Sequence, residues 1–408
     1  MPHDRLQQKL YEELSKLEAE GRRKGAETVI VGIVAAQDGK GPRFLIAGEG
    51  DEPFLRMNAN SYLGLSLQAE IVSAEDEGVR RFGTGPGAVR FIGGTWAPHL
   101  SLEQRLAAFH RRDAAIVFSS AYAAMMGVLP ILITPDTAVV SDELNHNCII
   151  NAIRLARPRA RFVYPHLDLT VLEQNLREAS TTCRRAIVVT DGIFSMRGDH
   201  APLDAIARLT YAYDRAFPEN ALLVVDDSHG VGAFGATGRG TEEHTSAIPD
   251  ILVGTLGKAF GVNGGYVVSS APIIEFIRET SPFYVYSNPI APGEAAAALR
   301  ALNLVDSEAG RNRLQHLRAM TVRFREGLSR LKLEAIPGAH PIVPVMIRDT
   351  ARTAALVHHL RQHGILATGL NFPVVPRGNE EIRFQICADH TPADIDHVLE
   401  TLKSFIKS

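Results

Sequence analysis

The sequence predicts an α/β protein with a large domain, built on a mostly parallel sheet between helices, and a smaller α+β domain at the C-terminal end. Three observations carry this. Six short apolar runs, "AAIVFSS", "TAVVSD", "ARFVYP", "RAIVVTDG", "ALLVVDDSH" and "DILVGTLG", follow one another from Ala114 to Gly257. Segments of helical periodicity such as "LEQNLREAS" and "PLDAIARLTYAYD" lie between most of them, so strand and helix alternate as in βαβ units. The runs are apolar along their length rather than alternating, the pattern of strands covered on both faces.

Ahead of this core, Leu6, Leu10, Leu14 and Leu17 fall at helical spacing, and "ETVIVGIVAAQDG" and "RFLIAG" read as short strands joined by a turn. Residues 1–56 are therefore expected to form a helix-and-strand arm, and 57–290 the large domain. From "PGEAAAALRALNLV" the texture changes to long helices and then to shorter strands, "AHPIVPVMI" and "EIRFQIC", which predicts a small domain over 291–408.

Composition narrows the function classes. With 408 residues, 45% hydrophobic and 22% charged, the chain is long enough for two domains of ordinary globular make-up. A net charge of -3 gives no basic excess, so nucleic acid is not expected as a partner. Cys148, Cys183 and Cys387 are too widely spaced for a zinc motif and odd in number, so neither a metal nor a disulfide framework is expected. The N-terminal segment lacks the apolar core of a secretion signal, and no window approaches the ~20 apolar residues of a membrane span. A cytoplasmic enzyme acting on small molecules is the expectation.

Several strand-like runs end in chemistry. "RAIVVTDGIFSM" delivers Asp191 and Ser195, "ALLVVDDSHG" delivers Asp226, Asp227 and His229, and "DILVGTLGK" delivers Thr255 and Lys258. In a parallel sheet these ends share one edge and can converge on one ligand. Singly, each has a plain alternative: a lysine in a glycine-rich turn is usually a solvated charge, His146 suits a helix start, and paired acids cap turns. A P-loop is ruled out because Leu252 stands where its first glycine belongs and Ala259 where Ser or Thr should follow the lysine. "GTGPG" at Gly83 follows a helix-like segment rather than a strand, so it is no dinucleotide fingerprint.

Jointly, the groups match what pyridoxal 5'-phosphate (PLP) needs. Its aldehyde forms an imine with a lysine, and a carboxylate opposite the ring nitrogen keeps that nitrogen protonated. Lys258 and one acid of the Asp226 and Asp227 pair supply these. The helix start at Ala121 and Tyr122, with the Thr255 hydroxyl, suits the phosphate. His146 can stack on the ring, and His229 can hydrogen-bond the ring oxygen.

With these residues assembled, the chain resembles the α-oxoamine synthases, fold type I PLP enzymes that condense an amino acid with an acyl-CoA. The motifs that carry the likeness are "NANSYLGL", "AVRFIGGT", "SDELNHNCII", "TDGIFSM", "VVDDSHGVGAFGATGRG", "GTLGKAFG", "YSNPIAP" and "IRFQICADHT". The resemblance implies a seven-stranded, mostly parallel sheet and a role for each site residue. Lys258 would carry the cofactor and transfer the proton, Asp226 would face the ring nitrogen with Asp227 structural, and His146 would stack. His229 and Ser195 would bind the 3'-oxygen, and Ala121, Tyr122 and Thr255 the phosphate, with Ser287 coming from a second subunit. Asn60 and Arg383 would hold the substrate carboxylate. A homodimer with its active site between subunits follows.

Within the family, "VRFIGGT" and "FPVVPRGNEEIRFQICADHTP" look most like the branch that acetylates glycine and keeps the carboxylate. Trp96, Pro98, Asn147 and Pro289 depart from that pattern, which leaves open the acyl group, its carrier (CoA or an acyl-carrier protein), the amino acid and a decarboxylating outcome. An aminotransferase on the same fold and a non-catalytic cofactor-binding module are the rivals.

Overall fold

The computed structural model describes residues 3–20, 22–23, 25–372 and 375–407; Pro373 and Val374 of the "FPVVPRGNEE" string lie outside the described residues. The six apolar runs are strands β1 (Ala114–Phe118), β2 (Thr137–Asp142), β3 (Ala160–Tyr164), β4 (Arg185–Asp191), β5 (Ala221–Asp226) and β6 (Ile251–Thr255). A seventh, β7 (Gly265–Ser269), completes a sheet of order β1-β7-β6-β5-β4-β2-β3. The five strands from β2 to β6 pair in parallel, whereas β7 runs antiparallel to both β6 and β1. The reason is the connection: loop 256–264 is too short for a crossover helix, so β6 and β7 form a hairpin.

Both faces of the sheet are covered, as the continuous apolar runs require. Val139, Ile187, Val189, Val224 and Val253 pack with residues of helices α1 (Ala121–Leu132) and α2 (Asn147–Ala156). Their sequence neighbours Val140, Val188 and Val225 point the other way, against α3 (Leu169–Ala179) and α4 (Leu203–Tyr213). The register sets Asp191 at the end of β4 beside Asp226 at the end of β5. Acidic groups thus end adjacent strands on one edge.

The chain divides into two compact units, Asn60–Leu317 and Met1–Ala59 with Arg318–Ser408, rather than at 56/57 and 290/291. Helix Pro292–Val305 belongs to the first because it packs on helix Ala69–Phe82 at a glycine contact. A Cβ on Gly78 would lie 2.9 Å from Gly293 Cα. In the second unit the arm is no separate piece. Strands Ile30–Val34, Arg43–Ile46 and Pro53–Arg56 form one sheet with Ile365–Leu366. Arg383 lies buried in Glu381–Gln385, the middle strand of a three-stranded antiparallel sheet in that unit. Helix Asp4–Ala19 forms where the leucine spacing predicts it, but buries none of its residues. No helix among the described residues is long and apolar enough to cross a membrane.

One ion cluster ties two turns at the sheet edge. The His166 ring lies between Asp142 Oδ1 at 3.1 Å and Asp199 Oδ2 at 3.2 Å. Asp142 also accepts the Leu144 and Leu167 N–H groups, and Asp199 accepts Arg197 Nε. Burial by itself would lower the His166 pKa, but the two carboxylates overcome it and raise the value to about 9. The folded value thus exceeds the ordinary 6.5, so the stabilisation is complete below pH 6.5 and is lost as pH rises through about 9. His166→Gln should remove a contribution of about 1–3 kcal/mol at pH 6 and much less at pH 10, measured as the difference in urea unfolding from the parent. An equal difference at both values would show that the ring is not held as a cation.

Candidate active site

Lys258 sits in the loop between β6 and β7, which its glycines fold tightly. Leu256 N–H donates to Gly264 O at 2.9 Å, Val262 N–H to Leu256 O at 3.0 Å and Gly261 N–H to Lys258 O at 3.1 Å. Gly261 has φ +71°, and a Cβ there would lie 2.4 Å from Ser66 N, so the turn admits only glycine. Thr255 Oγ1 donates to Gly264 O and accepts the Gly257 N–H, both at 3.2 Å. Lys258 and Thr255 are thereby presented to one cavity of about 240 Å³.

The paired acids point in different directions. Asp226 lines the cavity; its Oδ1 accepts the Ser228 N–H at 3.1 Å and its Oδ2 the Cys148 S–H at 3.5 Å. Asp227 is fully buried, and Thr241 donates to its two oxygens, N–H to Oδ2 at 2.6 Å and O–H to Oδ1 at 2.7 Å. Gly192, Gly230 and Gly240 wall it in, since a Cβ on any of them would come within 2.2 Å of a carboxylate oxygen. Burial pushes the Asp227 pKa up to about 8 against those hydrogen bonds. Only Asp226 has its carboxylate on the ligand side.

Around Asp226 the remaining groups converge. His146 caps α2, its Nδ1 accepting the Cys148 N–H at 3.2 Å, and its ring meets Tyr122 edge-on at 6.4 Å. Partial burial lowers its pKa; Asp226 opposes that shift and Lys258 adds to it. The residue as a whole is exposed. Asp191 is held well above the usual carboxylate range by burial and by Asp226, with the His146 N–H and Lys258 pulling the other way. Its Oδ1 is buried without a hydrogen-bond partner. His229 Nδ1 lies 2.7 Å from the Tyr62 hydroxyl, which donates to Asn60 Oδ1 at 3.2 Å.

Ala121, Tyr122, His146, Asp226, His229, Thr255 and Lys258, all singled out in the sequence, line this one cavity. Ala121 and Tyr122 are the first residues of α1, so their N–H groups have no carbonyl one turn back, while Ser120 Oγ accepts the Ala123 N–H at 3.0 Å. Asn60 reaches the group through Tyr62. Ser195 and Ser287 are not among the lining residues, and Arg383 belongs to the other unit. Cys148, Ser228 and Tyr62 escape the sequence reading. "NHNC" and "DDSH" flank known groups, but nothing in residue type shows which neighbours turn inward.

The model of the class I and II aminotransferase family matches residues 52–402. Human mitochondrial 2-amino-3-ketobutyrate coenzyme A ligase is 37% identical over 388 residues, 92% of this chain and 90% of that protein. The 8-amino-7-oxononanoate synthase of Thermosipho melanesiensis is 37% identical over 348 residues, 85% and 86% of the two. This chain is an α-oxoamine synthase. The enzyme also superposes on the serine palmitoyltransferase of Sphingomonas wittichii with a TM-score of 0.87 at 25% identity, covering 100% of this chain and 97% of that one. The S. paucimobilis serine palmitoyltransferase with bound PLP-myriocin aldimine gives 0.85, also at 25% identity.

The residues present fit PLP, the cofactor of this family. The cavity has an amine on one wall, a buried carboxylate among its lining residues, two helix-start residues whose N–H groups have no partner one turn back, and an imidazole that can stack on a planar ring. The helix start depends on Gly265, where a Cβ would lie 2.1 Å from Ala121 N. That obstacle is backbone and cannot rotate aside. Gly265→Ala should therefore displace the start of α1, destabilise the protein by about 1–3 kcal/mol and weaken PLP binding to the apoenzyme at least about tenfold in a fluorescence titration. Parent-like affinity would show that the N–H pair does not hold the phosphate.

Proposed function

We propose that this enzyme joins glycine to a short acyl-CoA and releases CoA and a 2-amino-3-oxo acid. The observation that carries the reading is the convergence of Lys258, Asp226, His146 and His229 on one cavity at the sheet edge. The "VRFIGGT" and "IRFQICADHT" strings and the ligase relative favour glycine and a short acyl chain.

Bound in the cavity, PLP supplies an electron sink for the α-carbon of the amino acid. Asp226 would hold a proton on the ring nitrogen, which would keep that sink strong. His146 would cover the ring, while His229 and Ser195 would hydrogen-bond the 3'-oxygen. The Ala121 and Tyr122 amides and the Thr255 hydroxyl would hold the phosphate, joined by Ser287 of a second subunit. Arg383 takes the substrate carboxylate with its two-pronged guanidinium, and Asn60 assists. Lys258 would anchor the cofactor at rest and then take the α-proton at Nζ. The α-carbon would then attack the thioester carbonyl, and CoA would leave as the thiol.

A homodimer is part of the proposal. Phe91, Ile92 and Tyr286, 65%, 70% and 76% exposed, form an apolar patch beside Ser287, with Phe91 edge-on to Tyr286 at 6.5 Å. The three cysteines are free of disulfides, which supports a reducing compartment such as the cytoplasm. The equal identity of the oxononanoate synthase relative keeps a second reading in play, a longer acyl chain with loss of CO2.

The test is thiol release from acyl-CoAs of increasing length with glycine and other amino acids, alongside CO2 evolution and light-scattering mass. Release confined to short chains without CO2, from a dimer, is expected. Release with longer chains and CO2 selects the second reading; amino transfer to a keto acid with no thioester consumed overturns both. In Lys258→Ala, borohydride should no longer fix the cofactor to the protein, and turnover should fall by a factor of at least about 10².

A further inference from the structure

We propose that Cys148 is a positioning residue for Asp226, its thiol holding the carboxylate in the orientation that meets the cofactor ring. Cys148 is the second residue of α2, 1% exposed, and packs among Ile149, Ala152 and other members of the core. A buried cysteine is ordinarily a small apolar filler. Here, however, the sulfur has polar groups on two sides, His146 Nδ1 at 3.0 Å and Asp226 Oδ2 at 3.5 Å. A ring nitrogen of His146, the Cys148 sulfur and an Asp226 carboxylate oxygen lie within 4.8 Å of one another.

The direction of the S–H follows from the neighbours. His146 Nδ1 spends its lone pair on the Cys148 main-chain N–H, so the thiol proton goes to Asp226. Burial, with Asp226 and Asp191 adding their charge, drives the thiol pKa far up, so the group stays a donor at every working pH. Asp226 is then gripped at both oxygens, by the Ser228 N–H and the Cys148 S–H. The grip matters because Asp191 stands one strand over at the same level, where burial and Asp226 hold it above the usual carboxylate range. The same residue fixes the His146 tautomer through its main chain and Asp226 through its side chain.

The inference rests on the reading that Asp226 faces the ring nitrogen, and the experiment separates the two. PLP affinity of the apoenzyme is measured by fluorescence titration for Cys148→Ser, which keeps a donor, for Cys148→Val, which keeps the packing, and for Asp226→Asn. A weak donor to a charged acceptor predicts parent-like affinity for Cys148→Ser and a loss of about three- to tenfold for Cys148→Val, with unchanged thermal stability of the apoenzyme. The reverse order, Val tolerated and Ser damaging, would make Cys148 a packing residue and overturn the proposal. If Cys148→Val fails to fold, Cys148→Ala, also without a donor, must show the loss for the proposal to stand. Unchanged affinity in Asp226→Asn would overturn the underlying reading; weakened Asp226→Asn with parent-like Cys148→Val would overturn only the role of the thiol.

Discussion

The parallel pairing of β2, β4, β5 and β6 is the constraint on which the site depends. Strands that run the same way end on the same edge, and here they end in Asp142, Asp191, Asp226 and Thr255. An antiparallel sheet would send half of these groups to the opposite edge, some 15–20 Å away. The single reversal, at β7, brings the chain straight back after Lys258 and returns its backbone beside the start of α1. The amine, the hydroxyl and the helix-start N–H groups are therefore neighbours through one hairpin.

Convergence has an electrostatic cost. Asp191 and Asp226 are both buried, at the same level on adjacent strands, so two acids share one edge out of water. The surroundings divide the load unequally: Asp226 has donors at both oxygens, while Asp191 is held well above the carboxylate range and keeps one oxygen without a partner. Such unlike environments for two like groups mark a site arranged for chemistry rather than for stability. Outside the cavity the same currency is used structurally, as in the His166 clamp and the buried Arg90 and Glu103 pair at 2.6 Å.

Much of this is legible in the sequence because the signals are local and reinforce one another. A buried parallel strand must be apolar throughout, and the residue after it must turn, so "ALLVVDDSH" reports both the strand and the edge. The glycines around Lys258 report close backbone approaches, which Gly261 against Ser66 bears out. What escapes depends on contacts far apart in the chain. Tyr62 reaches His229 across 167 positions, and residue type alone does not show that Thr241 holds Asp227 inward; the family resemblance, not the local pattern, picks out Asp226. The division between units escapes because strand Pro53–Arg56 finds its partner at Ile365–Leu366.

The central claim is that Asp226 keeps the cofactor's ring nitrogen protonated in a buried pocket. Nitrogen NMR of the holoenzyme carrying PLP labelled with ¹⁵N in the ring reads this directly. The account predicts a pyridinium shift in the parent, unchanged from pH 6 to 9, and a neutral-pyridine shift in Asp226→Asn. A neutral ring nitrogen in the parent, or a pyridinium in both proteins, would contradict it.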